Sequence, residues 1–191
     1  MTVTYDENNL PATVLFHDAD RRPLNRVSFR RDTAGRLLSE EVHQGASERS
    51  LFQRIVDKAP QERREETAAM IMQVLGETLS STTYAYDAQG RRVKRENRMG
   101  SLGGDCTTYR YDGHDDPVEE TVEHRSREAS LDEIGNLNYS SDRVNIQHIR
   151  LEYRYDDHGN WTERIVSSRS ESESEIHRSN IKRRTITYYS S

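Results

Sequence analysis

A short motif recurs along this chain and limits what it can fold into. An aspartate is followed three places later by a residue that accepts a left-handed backbone. The pairs are Asp6 and Asn9, Asp32 and Gly35, Asp87 and Gly90, Asp112 and Asp115, Asp132 and Gly135, and Asp156 and Gly159. Gly, Asn and Asp reach positive φ at the least steric cost. An Asp at the first position of a type I turn accepts backbone N–H groups from its own loop. A type I turn closed by a left-handed residue is a common β-hairpin connection. The six copies therefore predict six tight hairpin turns.

The flanks fit strands. Tyr84 and Tyr86, Tyr109 and Tyr111, and Tyr153 and Tyr155 stand three and one places before their aspartates. In the second copy Phe29 holds the minus-three place and Arg31 replaces the tyrosine at minus-one. Residues two apart share a strand face. These aromatics, with Trp161 after the last turn, form a predicted ladder that is read as core rather than as an exposed platform. Strand-like stretches follow the turns at 37–42, 93–98, 118–124 and 161–167. The Leu131 copy is the weakest, because Asn138, Ser140 and Ser141 make a poor outgoing strand. The spacings between successive aspartates are 26, 55, 25, 20 and 24 residues, and a unit of about 25 residues holds two strands and two turns. The expected fold class is mainly β, an extended antiparallel hairpin-repeat sheet forming one domain over 1–191.

Composition agrees with a thin fold. Leu, Ile, Val and Phe make up only 35 of the 191 residues, and the mean hydropathy is −1.02. Disorder would also require a large net charge and few aromatics, whereas the net charge is −5 and ten tyrosines are present. A sheet with one wet face needs fewer aliphatics than a two-layer core. The pI of about 5.8 argues against a nucleic-acid partner, since phosphate-binding domains are usually basic. No apolar run is long enough to span a membrane. No basic, then apolar, leader opens the chain. The single cysteine, Cys106, excludes an intrachain disulfide and a thiolate cluster.

Between Ser47 and Leu79 the apolar period changes from 2 to 3.6. Leu51, Phe52, Ile55 and Val56 form one apolar face, and Ala68, Ile71, Met72, Leu75 and Leu79 form another. Pro60 suits the first turn of a second helix, and Glu62, Glu65 and Glu66 suit the positive end of its dipole. Two inserted helices are expected, near 48–58 and 60–78, packed on one sheet face as a brace. The alternating stretch from Arg169 to Ile176 is either a charged edge strand or a loop. Residues 184–189 resemble a last strand entering a further repeat.

The richest polar cluster is Asp112, His114, Asp115 and Asp116, with Asp156, Asp157 and His158 further on. Turn geometry accounts for these residues, and the spacing does not match a calcium loop. The competing reading is a small metal-dependent hydrolase using the Asp112–Asp116 turn region, which would need Asp112, His114 and Asp156 to converge. Cys106 has no catalytic signature around it and reads as a small half-buried side chain. Gly100, Gly103 and Gly104 form no phosphate-binding motif and read as a loop between repeats. No catalytic, metal or cofactor residue is assigned.

The segments Tyr84–Arg91 and Tyr153–Trp161 have the form Tyr-x-Tyr-Asp-x-x-Gly-Arg/Asn. This resembles the YD repeat of the bacterial RHS-repeat family, which includes toxin-complex shell subunits and the animal teneurins. The resemblance covers most of the chain outside 47–79. It implies a long β-sheet that spirals into a shell, usually in exported or surface-associated proteins. There such sheets enclose a toxic polypeptide or support carbohydrate and cell-surface recognition. The chain has too few repeats to close a shell and lacks the Asp-Pro-x-Gly terminus that precedes the toxin. The expected function is a non-catalytic structural or binding module for a protein or carbohydrate partner. An accessory or immunity partner of an RHS-type toxin is a further reading.

Overall fold

The computed structural model describes residues 1–43, 56–75, 78–100, 102–127, 129–131 and 137–188. Eleven strands form one open antiparallel sheet in which neighbours in sequence are neighbours in space. They are β1 (Thr2–Tyr5), β2 (Pro11–His17), β3 (Pro23–Arg31), β4 (Leu37–His43), β5 (Thr78–Tyr86), β6 (Arg92–Arg98), β7 (Gly103–Tyr111), β8 (Pro117–Ser126), β11 (Arg143–Tyr155), β12 (Trp161–Ser170) and β13 (His177–Arg183). A separate two-stranded pair, β9 (Ala129–Leu131) with β10 (Leu137–Tyr139), lies between β8 and β11 in sequence. The chain is therefore mainly β and built of hairpins, as its repeat requires.

A meander places consecutive connections at alternate ends of the sheet. The turns 6–10, 32–36, 87–91, 112–116 and 156–160 all fall at one end, the turn rim. The opposite end collects the turn at Asp18, the insertion between β4 and β5, the link 99–102, the β9–β10 excursion and the link 171–176.

Directly paired residues share a face, so the register identifies the two faces. Phe29 pairs with Glu40 and Glu40 with Thr82, which is two residues from Tyr84. Tyr84 pairs with Arg95 and Arg95 with Thr107, two residues from Tyr109. Tyr109 leads through Glu120 and Ile149 to Leu151 and Tyr153. The aromatic ladder therefore occupies one face, together with the buried Thr82, Thr107 and Leu151. The other face carries Lys94, Glu96, Arg98, Glu123 and Arg125. There Glu96 accepts from both Lys94 and Arg98 at 2.8 Å, and Glu123 pairs with Arg125.

Three expectations change. The Leu131 copy does not join the array. Its flanking strands are three residues each and pair only with one another, while the longer β8 and β11 pair directly. Its turn, Asp132 to Gly135, lies outside the described residues. The last strand is β13, and residues 184–188 run outside any strand. The Arg169–Ile176 stretch divides: β12 continues to Ser170, and a turn comes after it in which Glu173 accepts the Ser170 N–H at 3.0 Å.

In the insertion a 3-10 turn at Gln61–Arg63 starts behind Pro60 and leads into α1 (Arg64–Leu75), with Glu65 and Glu66 in its first turn. The expected first helix falls mostly on residues 44–55, outside the described residues, although 56–58 are helical. The expected packing of the pair on the sheet depends on those residues and on the side chains of 70–77. It too lies outside the description.

Candidate functional site

Each rim turn is organised by its own aspartate. One carboxylate oxygen accepts two backbone N–H groups, two and four residues on. The acceptors and donors are Asp6 with Asn8 and Leu10, Asp32 with Ala34 and Arg36, Asp87 with Gln89 and Arg91, Asp112 with His114 and Asp116, and Asp156 with His158 and Asn160. These ten bonds are 2.8–3.1 Å long. The third residue after each Asp takes the left-handed conformation: Asn9 φ 59°, Gly35 79°, Gly90 83°, Asp115 64° and Gly159 79°. The pairing register slips by one residue at each turn, so the minus-one residue faces the plus-five residue. This is a type I turn with a β-bulge.

The second carboxylate oxygen ties the turn to its surroundings. Arg36 closes on Asp32 and Arg91 on Asp87, both at 2.7 Å, and Arg91 reaches Asp115 of the next turn at 2.9 Å. Arg31 lies 3.6 Å from Asp6. Tyr155 donates to Asp112, with Asp116 also within reach, at 2.7 and 2.9 Å, while its ring stacks on His114 at 4.1 Å. Tyr188 repeats that contact one turn later: it donates to Asp156 at 2.5 Å and stacks on His158 at 4.0 Å. Residues 184–188 are thus not a strand, yet Tyr188 takes the part of a minus-one tyrosine.

A second regularity is invisible in the motif. The backbone carbonyl five residues after every rim Asp accepts a side-chain donor from the next strand or the segment beyond it. Pro11 accepts from Arg31 (2.5 Å), Leu37 from Tyr86 (2.9 Å), Arg92 from Tyr111 (2.7 Å), Pro117 from Tyr153 (3.0 Å) and Trp161 from Arg184 (2.6 Å). Arg31, which departs from the tyrosine pattern, performs the same task with a guanidinium.

All eight ladder residues, Phe29, Tyr84, Tyr86, Tyr109, Tyr111, Tyr153, Tyr155 and Trp161, are half-buried. Guanidinium groups cover six of the rings: Arg31 over Phe29, Arg36 over Tyr86, Arg91 over Tyr111, Arg92 over both Tyr84 and Tyr109, and Arg184 3.9 Å from the Trp161 centroid. Each such contact is worth about 0.5–1 kcal/mol where exposed. The ladder is neither a dry core nor a bare platform.

The electrostatics arise from these contacts. Burial pushes the Asp112 carboxyl up, but hydrogen bonds from Tyr155 and from the His114 and Asp116 backbone outweigh it and hold the pKa below the usual range. The Tyr188 hydroxyl does the same for Asp156, the Arg36 backbone N–H for Asp32, and the Arg91 side chain, against desolvation, for Asp87. Burial, then the two adjacent carboxylates, drive the Tyr155 phenol far above its ordinary value. Asp112 and Asp156 sit in adjacent turns but bind different phenols. Among the described residues no three His, Cys, Asp or Glu side chains are grouped to hold a metal ion.

At the opposite end the ionic face is hollowed beside the 99–102 link. This open cavity of about 620 Å³ is lined by Glu96, Arg98, Gly104, Cys106, Glu123 and Arg125 among others. Cys106 is half-buried there with a free thiol, as its small size and strand position imply.

Sequence reasoning missed a turn. Asp18 accepts the Arg22 N–H at 2.8 Å, and Arg21 takes φ 63°. The arginine at the left-handed position hides it, although Asp18 comes after a strand and about midway between Asp6 and Asp32. No family model matches the chain, and no curated protein matches it.

Proposed function

We propose that the chain is a non-catalytic structural and binding module of YD-repeat type whose partner is another protein. The observation that carries this reading is the row of plus-five carbonyls, each holding a side chain of the next strand or segment. Through it the minus-one side chains Arg31, Tyr86 and Tyr111 join hairpin to hairpin, while the minus-one Tyr155 does so through the Asp112 and Asp116 carboxylates. A catalytic carboxylate needs access to a reacting atom, and a sugar platform needs free ring faces. Here the Asp112 and Asp116 carboxylates meet at the Tyr155 hydroxyl, and guanidinium groups lie over the ladder rings. Recognition then falls to the sheet edges and the ionic face. The family resemblance points to an exported or cell-surface setting.

The test pairs a glycan array with stability measurements on Tyr111→Phe and Tyr153→Phe. The parent protein gives no glycan signal, and each variant loses about 1 kcal/mol of stability with the lost hydroxyl. A glycan signal abolished by Tyr111→Ala in a folded variant would replace the protein partner with a carbohydrate. Divalent-ion-dependent hydrolysis lost in a folded Asp112→Asn variant would make the chain an enzyme.

A further inference from the structure

Seven residues after each of the last two rim aspartates stands a glutamate between two arginines. Glu119 pairs with Arg110 on one side and Arg150 on the other. Glu163 pairs with Arg154 and Arg183 in the same way. Each glutamate is the centre of an Arg-Glu-Arg row that crosses three strands on the ionic face.

The two rows use their charges differently. Around Glu119 the arginines separate: Arg110 holds the carboxylate by a terminal nitrogen, while Arg150 turns to Glu152 at 3.3 Å. Glu119 itself is exposed. The Glu163 side chain is only 11% exposed, and its two oxygens take one guanidinium each. Both are met through Nε, Arg154 at 3.5 Å and Arg183 at 2.5 Å. The Arg183 hydrogen bond holds the Glu163 carboxyl below the usual carboxylate range. A guanidinium engaged through Nε keeps the donors of its terminal nitrogens.

Arg184 adds a third cation. Its Nε donates to the Trp161 carbonyl at 2.6 Å, and its guanidinium carbon lies 3.9 Å from the Trp161 ring centroid. Thr162 stands where the pairing register slips past Arg154, and its hydroxyl donates to the Arg154 carbonyl at 3.2 Å. Arg154, Thr162, Glu163, Arg183, Arg184 and Thr185 line an open hollow of about 370 Å³. Three guanidinium groups against one carboxylate leave it with two surplus positive charges, on a chain whose net charge is −5. Arg178 adds to the positive field at Glu163, and the nearby Glu152 is taken by Arg150.

We propose that this hollow is a binding site for a tetrahedral oxyanion of the phosphate class. Arg154 and Arg183 donate to it through their terminal nitrogens. Glu163 is a positioning residue that fixes one fork against the other. A dianion neutralises the two surplus charges. A guanidinium fork takes two oxygens at a time, and a tetrahedral group offers separate pairs of oxygens to two forks, where a planar carboxylate offers one. The row lies on a face of three mutually paired strands, so it needs no neighbour beyond either edge of the sheet. The assignment goes beyond the binding-module reading and does not depend on it.

The experiment titrates inorganic phosphate into the full-length protein at constant ionic strength, read by amide NMR shifts and calorimetry. Phenyl phosphate forms a second arm, which separates an esterified phosphoryl group from the free ion, and acetate is the anion control. Saturable binding in the millimolar range or tighter is expected for at least one phosphate, with shifts centred on residues 154, 162–163 and 183–185. Arg154→Gln and Arg183→Gln each weaken it about tenfold, the value of one charge-assisted hydrogen bond. Each leaves Glu163 with the other guanidinium, and the urea midpoint reports that both variants fold. Glu163→Gln also weakens binding although it adds a net positive charge, because an amide oxygen holds one fork and not two. Arg110→Gln and Arg150→Gln, in the row one hairpin earlier, leave binding unchanged. No saturable response to either phosphate overturns the assignment, as does an equal response to acetate. Equal weakening by Arg110→Gln, or tighter binding by Glu163→Gln, also overturns it, because diffuse charge would then account for the attraction.

Discussion

The two ends of the sheet solve the same problem, reversing the chain, by different means. At the rim, five connections share one length, one carboxylate and one left-handed residue, and each is fastened to the next strand or segment. At the opposite end the connections range from the short turn at Asp18 to the insertion between β4 and β5. Among the described residues no common side chain recurs there, and β7 meets β8 at Gly103 and β6 at Gly104 by close backbone approach. Repetition spreads the rim's stability over many equivalent bonds. The opposite end concentrates it at a few positions that allow no substitute.

The largest effect is expected at Gly104. A Cβ there would lie 1.9 Å from the Asn97 carbonyl oxygen and 2.9 Å from the Arg98 Cα, both backbone atoms of β6. Neither can yield without parting β6 from β7. Gly104→Ala should cost about 3 kcal/mol or more, measured by urea unfolding. A loss below 1 kcal/mol would mean that the opposite end is as tolerant as the rim.

Acid should loosen the rim turns through their carboxylates. Asp32, Asp87, Asp112 and Asp156 are held below their ordinary pKa values. In the unfolded chain such groups bind protons near pH 4, before they do so in the folded one. Their stabilisation is complete above about pH 4 and is lost as the pH falls through the folded values. At the same rim Tyr111, Tyr153 and Tyr155 are raised. Their stabilisation is complete below about pH 10 and is lost as the pH rises above it. Amide exchange across pH 2–6 should show Gly35, Gly90 and Gly159 losing protection before Leu102. The reverse order would break the comparison.

This division also explains what the sequence discloses. The rim was legible because its parts are local: Asp, the left-handed residue and the tyrosines lie within seven positions. Five of six copies, the hairpin class and the ladder face emerge from that. The plus-five carbonyl was not legible, since a backbone acceptor leaves no mark on the sequence and Arg31 serves as well as Tyr86. Gly104 resembles a loop glycine in the sequence because its constraint comes from β6, across the sheet. The Leu131 copy carries the motif but not the strand length to join the array, and Arg21 adopts a conformation its residue type disfavours.

A glycine at the rim should be less critical than one at the opposite end. Gly90 has φ 83°, and an added Cβ would meet only the Arg36 guanidinium, at 3.6 Å. Gly90→Ala then costs only the left-handed backbone, about 1–2 kcal/mol. Gly90→Asn, which this position accepts in the first copy as Asn9, should recover part of that. Urea midpoints of the pair measure the difference, and equal losses for Ala and Asn would place the constraint outside the backbone angle.

The smallest effect should come from the charges around the cavity, and it separates backbone from side chain within the opposite end itself. Arg98 faces Gly104 across β6 and β7. It donates to Glu96 through Nε and a terminal nitrogen at 2.8 and 2.6 Å, but its side chain is 72% exposed. Removing it leaves Glu96 with Lys94 at 2.8 Å, so no buried charge is stranded. Exposed pairs of this kind are worth less than about 1 kcal/mol and are screened by salt. Arg98→Gln should therefore shift the urea midpoint only marginally, and the shift should vanish in about 1 M salt. A salt-independent loss approaching that of Gly104→Ala would show that the ion pairs, and not the close backbone approach, hold β6 to β7.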